Sequence, residues 1–104
     1  MEYINMRNDF FDQEWIKAID DHRYRSAVSV FYIHLFARQC KTVSEAKEVY
    51  GRLHTEFTFD ELIKTLSTAN VIRIGNDKES LAILDSPYIF LSEEGEPYGT
   101  DEVV

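Results

Sequence analysis

Cysteine is nearly missing from this chain: Cys40 is the one thiol in 104 residues. No disulfide can therefore close within it. A lone thiol at the end of an apolar run is more often a small buried hydrophobe than a nucleophile, and such sparing use fits a reducing cytoplasm. Glycine and proline are also scarce, with four and two copies, and no glycine-rich loop is present to cradle a phosphate. The histidines His22, His34 and His54 form no i, i+4 pair and there is no CxxC, so metal-ligand spacings are missing. No apolar run approaches the ~18 residues of a membrane span. The start, Met1-Glu2-Tyr3-Ile4-Asn5, lacks the basic-then-apolar pattern of a secretion signal. Lys and Arg are absent from residues 85–104.

What is present suffices for one packed domain. Hydrophobic residues make up 44% and aromatics 13%, enough to exclude global disorder. The net charge of −8 is unevenly placed. Residues 1–84 hold 13 acids and 11 bases, whereas 85–104 hold six acids and no base. Nucleic-acid affinity depends on neutralising phosphates with Lys and Arg. This chain should favour basic or mixed surfaces and should not be drawn to a polyanion.

Periodicity and capping signals lay out an α+β chain that is mostly α. Residues 2–6 suit a short extended piece. Asp12 is placed to cap a first helix over 13–20, with Trp15, Ile16 and Ile19 inward and the polar cluster Asp20-Asp21-His22-Arg23 closing it. Ser26 can cap a second helix to Gln39, apolar nearly all round and therefore expected to be buried nearly all round. Thr42-Val43-Ser44-Glu45 and Thr58-Phe59-Asp60-Glu61 both match the capping box, opening helices to about Leu53 and Ala69. Asn70 suits a left-handed helix end. Val71–Ile74 and Leu81–Leu84 flank the turn Gly75-Asn76-Asp77-Lys78 as a hairpin. Tyr88-Ile89-Phe90-Leu91 is either a third strand of that hairpin or a strap over the core. Two helices, a turn and a hairpin make a helix-turn-helix with a wing. The expected architecture is a winged-helix-like domain over 1–91, four helices plus a C-terminal β-hairpin, with a mobile acidic tail over 92–104.

The run from Tyr3 to Ile19, centred on Phe10-Phe11-Asp12, resembles the opening of phage replisome-organiser N-terminal domains. The apolar helix Ala27 to Ala37 and the stretch Leu66 to Ile74 are similar to the later parts of those domains. The resemblance, over residues 3–84, implies a DnaD-like winged helix in replication initiation. The same resemblance implies a domain that supports DNA binding or self-association beside a helicase-loading partner, with the 58–69 helix as its recognition helix. Here it would carry Asp60 and Glu61 against Lys64, whereas duplex readers present Arg, Lys, Asn or Gln. The chain also ends after this one domain. Its size and acidity are similar to those of small phage proteins that bind the host helicase loader, an AAA+ ATPase of the DnaC/DnaI type.

Catalysis is not expected, nor are a metal or cofactor. Ser26, Ser29 and His34 fall on one helix without the third orienting group and oxyanion site of a triad. The basic clusters, Arg23-Tyr24-Arg25 and Arg38 with Lys41, fit helix-terminus charges better than phosphate contacts. Phe10, Phe11, Trp15, Phe31 and Phe36 are assigned to the core. Aromatics anchor interface centres, so the candidate partner-binding residues are Tyr3, Tyr32, Tyr88 and Phe90, with the carboxylates Asp60, Glu61, Glu93 and Glu94. The expected partner is a host replication protein in the cytoplasm, above all the helicase loader. The alternative is a small winged-helix DNA-binding protein. A homodimer through the second helix is compatible with either.

Overall fold

The structure, a computed structural model, describes residues 3–92. Of the tail expected over 92–104, Ser92 instead ends a strand, and residues 93–104, with Glu93 and Glu94, lie outside the described residues. Among those described, four α-helices and two two-stranded antiparallel sheets form an α+β fold. Strand β1 (Tyr3–Met6) leads into a 3-10 turn at Phe10–Asp12 and then α1 (Glu14–Lys17), α2 (His22–Arg38), α3 (Val43–Leu53) and α4 (Phe59–Thr68). Strands β2 (Ile72–Ile74), β3 (Leu81–Ile83) and β4 (Ile89–Ser92) follow. None of the described helices is long and apolar enough to cross a membrane.

The first helix is much shorter than its periodicity suggests. Phe10–Asp12 is spent on the 3-10 turn, and Gln13, not Asp12, precedes α1. The chain then turns at Ile19, whose carbonyl accepts from the Arg25 guanidinium, Nε at 2.9 Å. The polar cluster opens the next helix instead of closing this one. The Asp21 carboxylate accepts from the amides of Arg23 at 2.9 Å and Tyr24 at 3.4 Å, so α2 starts four residues before Ser26. An N-cap of this kind satisfies amides that the helix itself leaves orphaned.

Both capping boxes form. Thr42 accepts from the Glu45 amide and Thr58 from the Glu61 amide, each at 3.1 Å, while the glutamate side chains accept from the Thr42 and Thr58 amides. Asn70 adopts φ 64° beyond α4, the left-handed conformation that a short polar side chain tolerates. The hairpin pairs Ile72 with Ile83 and Ile74 with Leu81. A bridge between Thr42 and Ser80 holds the segment before α3 against the other edge of β3.

The core gathers where α2 meets α3 and α4. Val28, Phe31 and Leu35 of α2, Ala46 and Val49 of α3, Leu62 and Leu66 of α4 and Ile72 of β2 are all buried. Each such Phe, Leu, Ile or Val contributes about 1.5–3 kcal/mol by leaving water. α2 is not buried all round, however: Val30 is 43% exposed, and His34 and Ala37 are exposed with it. Phe11, assigned to the core from sequence, stands 53% exposed with its ring edge-on to buried Phe10.

The segment Tyr88–Leu91 forms neither a third hairpin strand nor a strap. From Ile89 on it belongs to β4 and pairs with β1, Met6 opposite Ile89 and Ile4 opposite Leu91. Those four residues share one face, and Ile89 anchors it at 1% exposure.

Candidate functional site

A partner-binding surface needs aromatic or charged side chains that the fold leaves in solvent. Alternation along β1 and β4 sorts the candidates into two faces. Asn5 stands opposite Phe90, and the Arg7 amide donates to the Tyr88 carbonyl at 2.9 Å. Tyr3, Asn5, Arg7, Tyr88 and Phe90 therefore share the face turned away from Ile89. Tyr3 is 44% exposed, and Tyr88 and Phe90 are half-buried. The Arg7 guanidinium lies 4.9 Å from the Tyr88 ring centre and also pairs with Asp9 at 2.7 Å. A cation over a ring face is favourable and holds Tyr88 in one orientation.

Tyr32 does not belong to this surface, which corrects its assignment as an anchor. It is 1% exposed, stacked 6.1 Å from Phe10 and met edge-on by Trp15 at 6.1 Å. Burial pushes its hydroxyl above the ordinary tyrosine value, while the Ser86 side chain opposes the shift. Ser86 approaches without a hydrogen bond of good geometry. The position belongs to the packed face of α2, and a helix apolar on several sides gives no sequence signal for which side turns outward.

Asp60 and Glu61 lie on a different element, in the first turn of α4. There carboxylates meet the positive end of the helix, and Glu61 is also committed to the capping box. Tyr24 of α2 ties this helix down: its hydroxyl donates to the Glu61 carbonyl at 2.8 Å and lies against the Thr65 hydroxyl. Across α4 and the hairpin, the acids Asp60, Glu61, Asp77 and Glu79 stand against the bases Lys64, Arg73 and Lys78. All seven are exposed, so acids outnumber bases on these two elements.

The hairpin tip is held by Asp77. Its carboxylate accepts from the Ser80 hydroxyl at 2.6 Å and from the amides of Ser80 at 2.9 Å and Glu79 at 3.0 Å. Those bonds, the Ser80 hydroxyl foremost, hold its pKa down at about 2. Glu79 in turn accepts from the Ser44 hydroxyl at 2.9 Å, so the tip is fastened to the start of α3.

Sequence reasoning passed over a cleft of about 680 Å³ between the C-terminal end of α2, β3 and β4. Phe36, Cys40, Leu81 and Ile89 are its buried lining, and Lys41 and Asp85 are its charged residues. Burial pushes the Cys40 thiol up, with Glu45 adding to the shift and Arg38 opposing it. No family model matches the chain, and neither does any curated protein or solved structure.

Proposed function

We propose that this protein is a winged-helix-like module that binds protein instead of DNA, and that it inhibits host replication by occupying the AAA+ helicase loader. The winged-helix reading is supported by the order α2, the bridging residues 41–42, α3, α4, then the β2–β3 hairpin, in which α4 takes the place of a recognition helix. One observation carries the protein-binding reading: α4 opens on Asp60 and Glu61, its one cation is Lys64, and the exposed hairpin adds two bases, Arg73 and Lys78, against two acids, Asp77 and Glu79. Duplex binding draws on several phosphate contacts by Lys and Arg, and this surface offers few. The loader as partner rests on the resemblance over residues 3–84 and on the size and acidity of the chain. The mechanism is steric: a surface the loader needs for self-assembly, nucleotide turnover or single-strand binding is covered.

A titration of purified DnaC/DnaI-type loader against the immobilised chain tests the proposal, with a labelled duplex as the competing ligand. Saturable loader binding and no duplex binding at low salt is the expected result. Duplex binding that weakens steeply with salt, with none to the loader, overturns it. That outcome would favour the small DNA-binding protein, for which exposed Arg73 on β2 and Lys78 at the hairpin tip are the available backbone contacts.

A further inference from the structure

Successive residues of an antiparallel strand turn their amides and carbonyls to opposite edges. At one end of the hairpin the Gly75 amide donates to the Ser80 carbonyl at 2.9 Å, and at the other Leu84 donates to Val71 at 3.0 Å. In that register Ser80, Ala82 and Leu84 bond toward β2, while Leu81 and Ile83 face the far edge. Leu81 finds a partner there, the Lys41 carbonyl at 2.9 Å, but the bridge of residues 41–42 is not continued to Ile83. Tyr88, just before β4, and Phe90 within it bond toward β1, which turns the amides and carbonyls of Ile89 and Leu91 outward. These two edges, one at Ile83 and one at Ile89 and Leu91, have no backbone partner among the described residues, and they line the same cleft of about 680 Å³.

We propose that this cleft is a slot for one extended segment of a partner protein, added as a strand between β3 and β4. Open strand edges template such additions, with main-chain hydrogen bonds giving affinity and side-chain pockets giving selectivity. The charges of the cleft define the segment. The Lys41 carbonyl accepts from the Leu81 amide where β3 begins, and Asp85 follows two residues after β3 ends. The complementary segment places an acid against Lys41 and a base against Asp85, with apolar residues at alternate positions between them for the buried lining. The inference rests on the reading of this chain as a protein-binding module and names the surface that does the binding.

Random dodecapeptides displayed for selection against the full chain are the probe. The expected consensus is acid, alternating apolar residues, then base. On adding such a peptide, the Ile83 and Leu91 amides become protected from hydrogen exchange. Leu91→Pro removes a donor that the β1–β4 ladder does not use, and it should weaken binding about tenfold or more, one charge-free main-chain bond and its neighbours being lost. Lys41→Glu reads the charge independently of any folding defect and should shift the selected consensus from acid to base at that end. No extended consensus, equal binding to Leu91→Pro, or a consensus unmoved by Lys41→Glu overturns the slot. Self-association that Leu91→Pro abolishes would assign the edges to a second copy and overturn the partner segment as occupant. Peptides that bind as expected but are not displaced by the loader would leave the slot standing and remove the loader as partner.

Discussion

The two sheets are of similar size but are built from opposite kinds of contact. β2 and β3 are joined by a six-residue turn whose geometry is enforced locally by Asp77 and by Lys78 at φ 61°. β1 and β4 come from the two ends of the described chain, Tyr3 opposite Ser92. Nothing local brings them together, so closing that pair costs the loop entropy of the whole domain. It is repaid by packing: Ile89 is fully buried, and Met6 and Leu91 lie against the core beside it. One sheet is specified by turn chemistry, the other by tertiary burial, and each should fail to its own kind of insult.

The strongest test removes the anchor of the end-to-end sheet. Ile89→Ala should cost about 2–5 kcal/mol, the usual range for truncating a buried aliphatic, measured by urea denaturation. Amides of β1 and β4 should lose exchange protection before those of β2 and β3; simultaneous loss would show that the sheets are one unit. Thr42→Ala and Thr58→Ala should each cost about 1 kcal/mol through a lost cap. Only the first should also loosen the Leu81 amide, because Thr42 bridges Ser80.

Smaller effects sharpen the hairpin side. The folded Asp77 carboxyl titrates at about 2 against an ordinary 3.8, so its ionised form favours the folded turn. That contribution is complete above the ordinary value and fades as pH falls from about 4 through 2. Amide shifts of Glu79 and Ser80 should follow that titration, and in Asp77→Asn they should stay flat. Cys40, 4% exposed in the cleft lined by β3 and β4, should resist an aromatic disulfide reagent until the protein unfolds; rapid native-state labelling would mean that the cleft opens readily.

The same contrast explains what could be read from residues alone. The capping boxes at Thr42 and Thr58 and the turn at Gly75–Lys78 are short-range devices, and all formed where their spacing put them. The pairing of β4 with β1 was invisible because its partner lies at the other end of the described chain, and no local pattern encodes register over that distance. Asp21 was misread because two adjacent aspartates look alike as the end of one helix or the start of the next; the amides at Arg23 and Tyr24 decide it. Among the candidate site residues, Tyr3, Tyr88 and Phe90 do share a face. Tyr32 was lost to the core because α2 is apolar on more than one side.

The meeting of Tyr3 with Ser92 also makes this chain a candidate for cutting and rejoining. A short linker from residue 92 to residue 3, with new termini opened between Asn76 and Asp77, would exchange the roles of the two sheets. The end-to-end pair would become a hairpin and the hairpin a pair of distant ends. Because folding speed follows the sequence separation of contacts, such a permutant would change the order in which the sheets assemble while leaving the assembled packing nearly the same.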